Sequence, residues 1–487
     1  MREVEGPVYR IEQIREIEAQ ALARIDEPGS LMMKAARGAL FRLRQCWPTA
    51  RSLTIFCGAG NNGGDGYALA RLARRDGYAV QVVGIAPSTS AEAQLHRQAW
   101  LSEGGQFTQE MGDAVMDGDV LVDALLGIGF RGELRADYVD AITVMNGSAR
   151  PVLAIDVPSG VSADSGGVAA VAVRSTVTVT FIGIKPGLVT GPALDHCGTV
   201  LLEDLGLSSD RRWGNIISVA TVSGLRTVRK KNFHKGRAGH IGIVGAGPGM
   251  PGAAALCAMA ALKSGVGKVT VGCHPISAQA VAAQCPEAIV RGLTSPKDVQ
   301  ELLGDIDVLA LGPGLGKSEW SRMVFAPCLE AELPKVIDAD GLNLLAHGEN
   351  QSLKAVLTPH PGEAARMLGR STGDIEADRP DAAEALAIRF NSTAVLKGAG
   401  TLIKGLDLPA WVCPRGNPGM ASAGMGDVLT GVVAGFRGQG LCDVDSAVWG
   451  VWCHASAGDL AAREVGLVGF LASDVIDRIP VVRDVYA

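Results

Sequence analysis

A chain of 487 residues exceeds what one hydrophobic core ordinarily organises, so two or more domains are expected. A hydrophobic fraction of 47% against 20% charged residues excludes a disordered chain, and 63 glycines beside 5% aromatics favour an α/β protein that meets ligands through main-chain amides. The net charge of −6 argues against a dedicated nucleic-acid binder, and ten cysteines without a CxxC spacing argue against a disulfide framework or a thiolate metal site.

The opening residues are charged and lack the apolar stretch of a signal peptide. They read as an amphipathic helix with Ile11, Ile14, Ile17 and Leu22 near helical spacing. The longest nearly apolar run, from Gly252 to Leu262, is too short to cross a bilayer. A cytoplasmic protein with no membrane partner is the expectation.

From residue 52 short β-rich runs alternate with helical stretches. SLTIFC, AVQVVG, DVLVDAL, PVLAID and STVTVTFI read as strands, and YALARLARRDGY as a helix stopped by Gly77. Strands apolar on both faces and separated by helices indicate a parallel sheet covered on both sides. Three loops of the chain invite motif assignments that fail. The glycines at 58, 60 and 63, and those at 247, 249 and 252, satisfy GxGxxG, but neither following strand ends in the acid that would hold a ribose. The run from Gly312 to Ser318 has Leu311 where a P-loop needs its first glycine.

Four strand ends in the first half gather polar groups. Gly58 to Gly66 places Asn61, Asn62, Gly63, Gly64 and Asp65 where a glycine turn opens a helix, a setting that suits an anion. Asp123 leads into the loop of Gly127, Ile128, Gly129, Phe130, Arg131 and Gly132. Asp156 precedes Pro158 and Ser159, and Lys185 follows another strand. Such oxygens could hold a hard monovalent cation or manage a proton. The strings GAGNNGGDGYALAR, DALLGIGFRG, AIDVPSGV and FIGIKPGL resemble the NAD(P)H-hydrate epimerase domain across nearly the whole first half. That resemblance implies hydrate binding by Asn61 to Asp65, by Gly127 to Gly132 and by Asp156, and a potassium ion held by Asn62, Asp123 and Ser159. Interconverting R and S hydrates requires moving a proton and reversibly losing a hydroxyl, work for which Asp156 and Lys185 are the candidates.

The rhythm breaks between about Leu205 and Gly224, and domains of residues 1–218 and 219–487 are expected. A basic stretch follows (Arg226, Arg229, Lys230, Lys231, His234, Lys235, Arg237), readable as a solvated linker or as a lip for a phosphate-bearing ligand. A second α/β series then runs through GHIGIVGA, GKVTVG, DVLALG, KVIDAD and TAVLKG. Asp338 and Asp340 end one of its strands, and His360 stands between two prolines, which favours ligand contact. Lys397, Gly398, Ala399, Gly400 and Thr401 read as a phosphate loop or as a hairpin turn with an exposed lysine. Gly424, Met425, Gly426 and Asp427 open a helix whose amides could hold a phosphoryl group while Asp427 takes a proton. His454 reads as a packed histidine.

From HKGRAGHIGIVGA through MGDVLTGVVAG this half resembles the ADP-dependent NAD(P)H-hydrate dehydratase, a relative of the ribokinase-like kinases. The resemblance implies a Rossmann-like sheet followed by a ribokinase-like one, each in three layers. It implies nucleotide binding by Lys397 to Thr401 and Gly426, and hydrate binding by Ala253, Gly314, His360 and Asp427. ADP or ATP with Mg²⁺ would serve as phosphoryl donor, NADHX and NADPHX as substrates, and the assembly would be a homo-oligomer. Ala423 and Ala246 stand where the family has glycine; a positive φ at either would cost on the order of 1 kcal/mol. A ribokinase-like kinase of a small alcohol and a non-catalytic first domain are the rival readings.

Overall fold

The computed structural model describes residues 4–24, 29–109, 117–225, 232, 234–346 and 352–485. The chain divides into two compact units, Met1–Ile216 and Ile217–Ala487. In the first, the sheet strands are β1 (Ser52–Cys57), β2 (Ala79–Gly84), β3 (Val120–Ala124), β4 (Val152–Ile155), β5 (Val177–Phe181) and β6 (Thr199–Glu203). Their order is β2-β1-β3-β4-β5-β6, with every neighbouring pair parallel. β3 and β4 are buried throughout, as strands covered by helices on both faces must be.

The chain leaves β1 toward one edge of this sheet and returns to its other side at β3. Loops following the two strands therefore part at a topological switch point, where open α/β sheets leave a crevice. Close backbone approach there explains the glycines. A Cβ on Gly58 would lie 1.9 Å from the Leu125 carbonyl oxygen, and one on Gly63 would lie 2.0 Å from that of Gly58.

The second unit repeats the plan with β7 (His240–Val244), β8 (Lys268–Cys273), β9 (Ile289–Gly292), β10 (Val308–Leu311), β11 (Lys335–Ile337), β12 (Val356–Leu357), β13 (Thr393–Leu396), β14 (Leu402–Lys404) and β15 (Ala410–Val412). The order is β9-β8-β7-β10-β11-β12-β13-β14-β15, parallel as far as β13 and antiparallel beyond it. The switch point falls between β7 and β10. There Ala246 N donates to the Pro313 carbonyl at 3.0 Å, and Gly247 N to that of Gly314 at 2.7 Å. Helix Met425–Gly438 lies against helix Pro251–Lys263 with almost nothing between them. A Cβ on Gly431 would stand 2.2 Å from the Cys257 carbonyl oxygen, and one on Gly435 1.9 Å from Ser264 Oγ.

Several sequence expectations need adjustment. The helix after β1 begins at Asn61 with Gly60 as its cap, so Asn61 to Asp65 lie inside its first turns and Asp65 caps nothing. In the N-terminal helix, Ile11–Leu22, Ala21 faces the core and Leu22 is exposed. The left-handed residue before Met425 is Gly424 at φ 87°, and Ala423 has no positive φ; Ala246 does, at 51°. Within the basic stretch, Arg226, Arg229, Lys230 and Lys231 lie outside the described residues, while Lys235 and Arg237 form an exposed single turn. All ten cysteines are free, and among the described residues no helix is long and apolar enough to cross a membrane.

Ala339 stands at φ 50°, ψ −121°, a region where glycine alone is comfortable, between Asp338 and Asp340. Ala339→Gly is expected to stabilise the protein by about 1 kcal/mol in chemical denaturation while loosening the two aspartates and slowing chemistry at the second site.

Candidate active sites

A cavity of about 450 Å³ opens at the switch point of the first unit. Asn61, Asn62, Asp65, Asp156 and Lys185 line it, together with the loop from Gly127 to Phe130. Arg131 and Gly132 lie beyond the lining, exposed to solvent. Gly63 and Gly64 serve by having no side chain: a Cβ on Gly64 would press on Met32 Sδ at 2.6 Å.

Asp156 sits at φ 65°, a conformation that aspartate tolerates better than most residues. Its Oδ1 receives Lys185 Nζ at 2.5 Å, and the ammonium also donates to Thr180 Oγ1 and the Phe181 carbonyl, both at 2.9 Å. Lys185 is 1% exposed, so this cation is held by fixed partners rather than by water. Two further acids share the cavity. Burial first, then neighbouring Asp156 and Glu18, holds the Asp65 carboxyl well above the usual range. Glu18 is raised as well, by burial and then by Asp156. One ion pair facing two carboxyls whose protonated form is favoured by burial brings basic and acidic groups into one cavity.

Glu18 was not foreseen. It lies on the apolar face of the N-terminal helix, one turn from Ile14 and from Ala21, so an acid interrupting that stripe was the signal that sequence reading passed over.

Asp123 is fully buried beneath this cavity. Ser159 Oγ donates to its Oδ1 at 2.6 Å and Ser159 N to its Oδ2 at 2.8 Å, while burial pushes its carboxyl up to about 6. Both Asn62 and Ser159 bond the Leu126 peptide: Asn62 Nδ2 donates to its carbonyl at 2.9 Å, and its N–H donates to Ser159 Oγ at 2.9 Å. Asn62 Oδ1 is buried without a hydrogen-bond partner. A buried, unspent oxygen beside a carboxylate and a hydroxyl is the donor chemistry of a hard monovalent cation.

The second unit assembles a different site at the carboxyl ends of β11 and β13. Asp338, 1% exposed, accepts from Lys397 Nζ at 2.6 Å and from Thr430 Oγ1 at 2.7 Å. Burial pushes the Asp338 carboxyl up, but the Lys397 charge together with hydrogen bonds from Lys397, Thr430 and the Ala339 backbone outweighs it and the net shift is downward. Lys397 shows the mirror balance, lowered by burial and raised further by Asp338 and Glu363. The loop after Lys397 is the hairpin turn joining antiparallel β13 and β14, yet its lysine is turned inward. A Cβ on Gly426 would sit 3.2 Å from Lys397 Nζ, which brings that cation to the opening turn of helix Met425–Gly438.

Asp427, in that turn, is pushed up to about 7 by burial and then by Asp338. A carboxylate titrating there can receive a proton at neutral pH and still part with it. His360 caps helix Pro361–Leu368: its Nδ1 accepts from Gly362 N at 3.0 Å, and its own amide donates to Glu363 Oε2 at 2.8 Å. That role consumes one ring nitrogen and leaves the ring half exposed. His454 is buried, with burial holding it down to about 4. Ala253 and Gly314 meet at the switch point, where a Cβ on Gly314 would lie 3.0 Å from that of Ala253.

Two parallel α/β units, the second with a lysine-bridged acidic site under a glycine-opened helix, define a nucleotide-processing enzyme whose second unit is ribokinase-like. A family model described as NAD(P)H-hydrate dehydratase matches residues 241–481, and one described as YjeF-related protein N-terminus matches residues 28–187. The chain is 40% identical to the bifunctional NAD(P)H-hydrate repair enzyme Nnr of Coxiella burnetii, over 97% of this chain and 99% of that one. It is 37% identical to the Escherichia coli enzyme of that name, over 92% and 88%. Among solved structures, the ADP/ATP-dependent NAD(P)H-hydrate dehydratase from Bacillus subtilis, co-crystallised with ATP/Mg²⁺, is 26% identical. It matches 55% of this chain and 98% of its own, with a TM-score of 0.50. The chain belongs to the bifunctional NAD(P)H-hydrate repair enzyme family.

Proposed function

We propose that this protein restores hydrated NADH and NADPH, its first unit interconverting the R and S hydrates and its second dehydrating the S form at the expense of ADP or ATP. The observation that carries this reading is Asp427, poised to titrate near neutrality in the turn where Gly426 meets Lys397. In the second unit, Asp427 accepts the proton of the C6 hydroxyl as its oxygen takes the terminal phosphoryl group of the nucleotide. The resulting phosphate ester then eliminates phosphate with loss of a ring proton, closing the C5–C6 double bond. Hydroxide is a poor leaving group and phosphate a good one, which explains a nucleotide spent on a dehydration. Lys397 to Thr401 and Gly426 hold the nucleotide phosphates, and Ala253, Gly314 and His360 hold the hydrate.

Mg²⁺ carried on nucleotide phosphates supplies charge neutralisation and needs few protein oxygens; the carboxylates of Asp340 and Glu363 are at hand. In the first unit, Asn61 to Asp65, Gly127 to Gly132 and Asp156 bind the hydrate, while Asp156 and Lys185 move the proton. Potassium suits Asn62, Asp123 and Ser159, given the unspent Asn62 oxygen. A cytoplasmic homo-oligomer is the state proposed.

Mixed R and S hydrates of NADH, incubated with the purified protein, Mg²⁺ and ADP, test the reading through absorbance of regenerated NADH. Complete conversion is expected. No NADH with either ADP or ATP sinks it and points instead to kinase activity on small alcohols.

A further inference from the structure

Arg379 occupies a position that two general rules disfavour. It is the first residue of helix Arg379–Phe390, where the positive end of the helix dipole repels a cation, and it is only 1% exposed. Its ion-pair partner, Glu376 at 3.3 Å, is itself partly in solvent. Nη2 donates to the carbonyls of Leu396 and Lys397, at 3.3 and 3.0 Å. The guanidinium also lies against the next residue, since a Cβ on Gly398 would stand 3.0 Å from Nη2 and 3.1 Å from Nη1. Gly398 is at φ 132°, so the backbone here is both bent and pressed close.

Peptide planarity turns this contact into an orientation. Within one peptide the C=O and the following N–H point in opposite directions. A Lys397 carbonyl drawn down onto Arg379 therefore aims the Gly398 amide toward the other face of the loop. A fixed cation beneath that loop also adds favourable potential for phosphate oxygens above it. We propose that Arg379 is a positioning residue for nucleotide binding, fixing the Lys397–Thr401 loop from below so that its amides face the phosphates. The inference rests on the reading that this loop holds the nucleotide. Nothing in the chemistry assigned to Asp427 or to the first unit requires it.

The test is calorimetric titration of ADP with Mg²⁺ into the full-length protein, with the hydrate KM measured alongside. Arg379→Lys keeps the charge but loses the planar donor fork, and it is expected to weaken ADP about tenfold; Arg379→Ala should weaken it about thirtyfold. The hydrate KM should stay within about twofold in both, because Glu376, Leu396 and Lys397, which Arg379 bonds, are not among the residues assigned to the hydrate. Millimolar methylguanidine should return part of the ADP affinity to Arg379→Ala and leave the wild type unchanged. ADP affinity equal to wild type in Arg379→Lys overturns the proposal, and so does a parallel loss of ADP and hydrate binding. Should Arg379→Ala not fold, the lysine variant decides alone. A wild-type chain that binds no ADP overturns the nucleotide reading itself, and that failure is distinguishable because it precedes any substitution.

Discussion

Asp427→Asn is expected to slow regeneration of NADH from the S hydrate about 10³-fold, about 4 kcal/mol in the barrier, with the hydrate KM little changed. The substitution keeps the shape of the side chain at the start of helix Met425–Gly438 and removes only its capacity to take a proton. Epimerisation, carried by the other unit, should continue at the wild-type rate. The pH dependence supplies a second check. A base pushed up to about 7 is protonated and idle below that pH, so the wild-type dehydration rate should rise with pH and level off above about 7. Asp427→Asn should abolish the rising limb. Stopped-flow absorbance of NADH from purified S hydrate measures both. A pH-independent wild-type rate would remove Asp427 from the proton transfer.

Asp156→Asn should produce a different signature. With mixed hydrates, NADH should form rapidly until the S form is consumed and then only at the pace of uncatalysed epimerisation, a loss of about 10² to 10⁴ in the second phase. Adding wild-type protein should complete the reaction. Asparagine tolerates the left-handed backbone that Asp156 adopts at φ 65°, so a folding defect is not expected to confuse the result. Lys185→Met is a harsher change. It strands the Asp156 carboxylate and leaves Thr180 Oγ1 and the Phe181 carbonyl without their donor, a loss of about 3 to 5 kcal/mol for a broken buried pair. Chiral chromatography of the remaining hydrate, taken at the break between phases, separates the two explanations of a slow tail. Residual R hydrate supports the assignment, and an even mixture refutes it.

Much of this organisation was readable from residues alone. β-rich runs such as AVQVVG and SLTIFC became strands at their expected places because apolar residues on both faces admit few alternatives to a covered parallel sheet. The glycine loops were legible because close backbone approach leaves no other residue type possible, as Gly58 against Leu125 shows. Harder to read were contacts that join distant segments. Asp338 was visible as an acid at a strand end, but its pairing with Lys397, 59 residues later, depends on which strands become neighbours. Lys397 illustrates the difficulty in reverse: a hairpin turn was a correct reading, an exposed lysine a wrong one, because local turn chemistry says nothing about the burial of the side chain beside it. Positive φ at Ala339 was equally opaque, since strain at a non-glycine residue is imposed from outside the segment, whereas at Ala246 the family's usual glycine hinted at it.

The bare contact between helices Met425–Gly438 and Pro251–Lys263 makes them a ruler. One carries Asp427 and the other Ala253, and at Gly431 their spacing is set by main chain against the Cys257 carbonyl, while Gly435 makes room for the Ser264 hydroxyl. Side chains can be exchanged for larger or smaller ones over evolutionary time; a backbone has no size to vary. The separation between the base and the opposite wall is thus a constant of the architecture. A descendant of this chain that took up a bulkier or slimmer alcohol would have to reshape its loops around a gap of unchanging width.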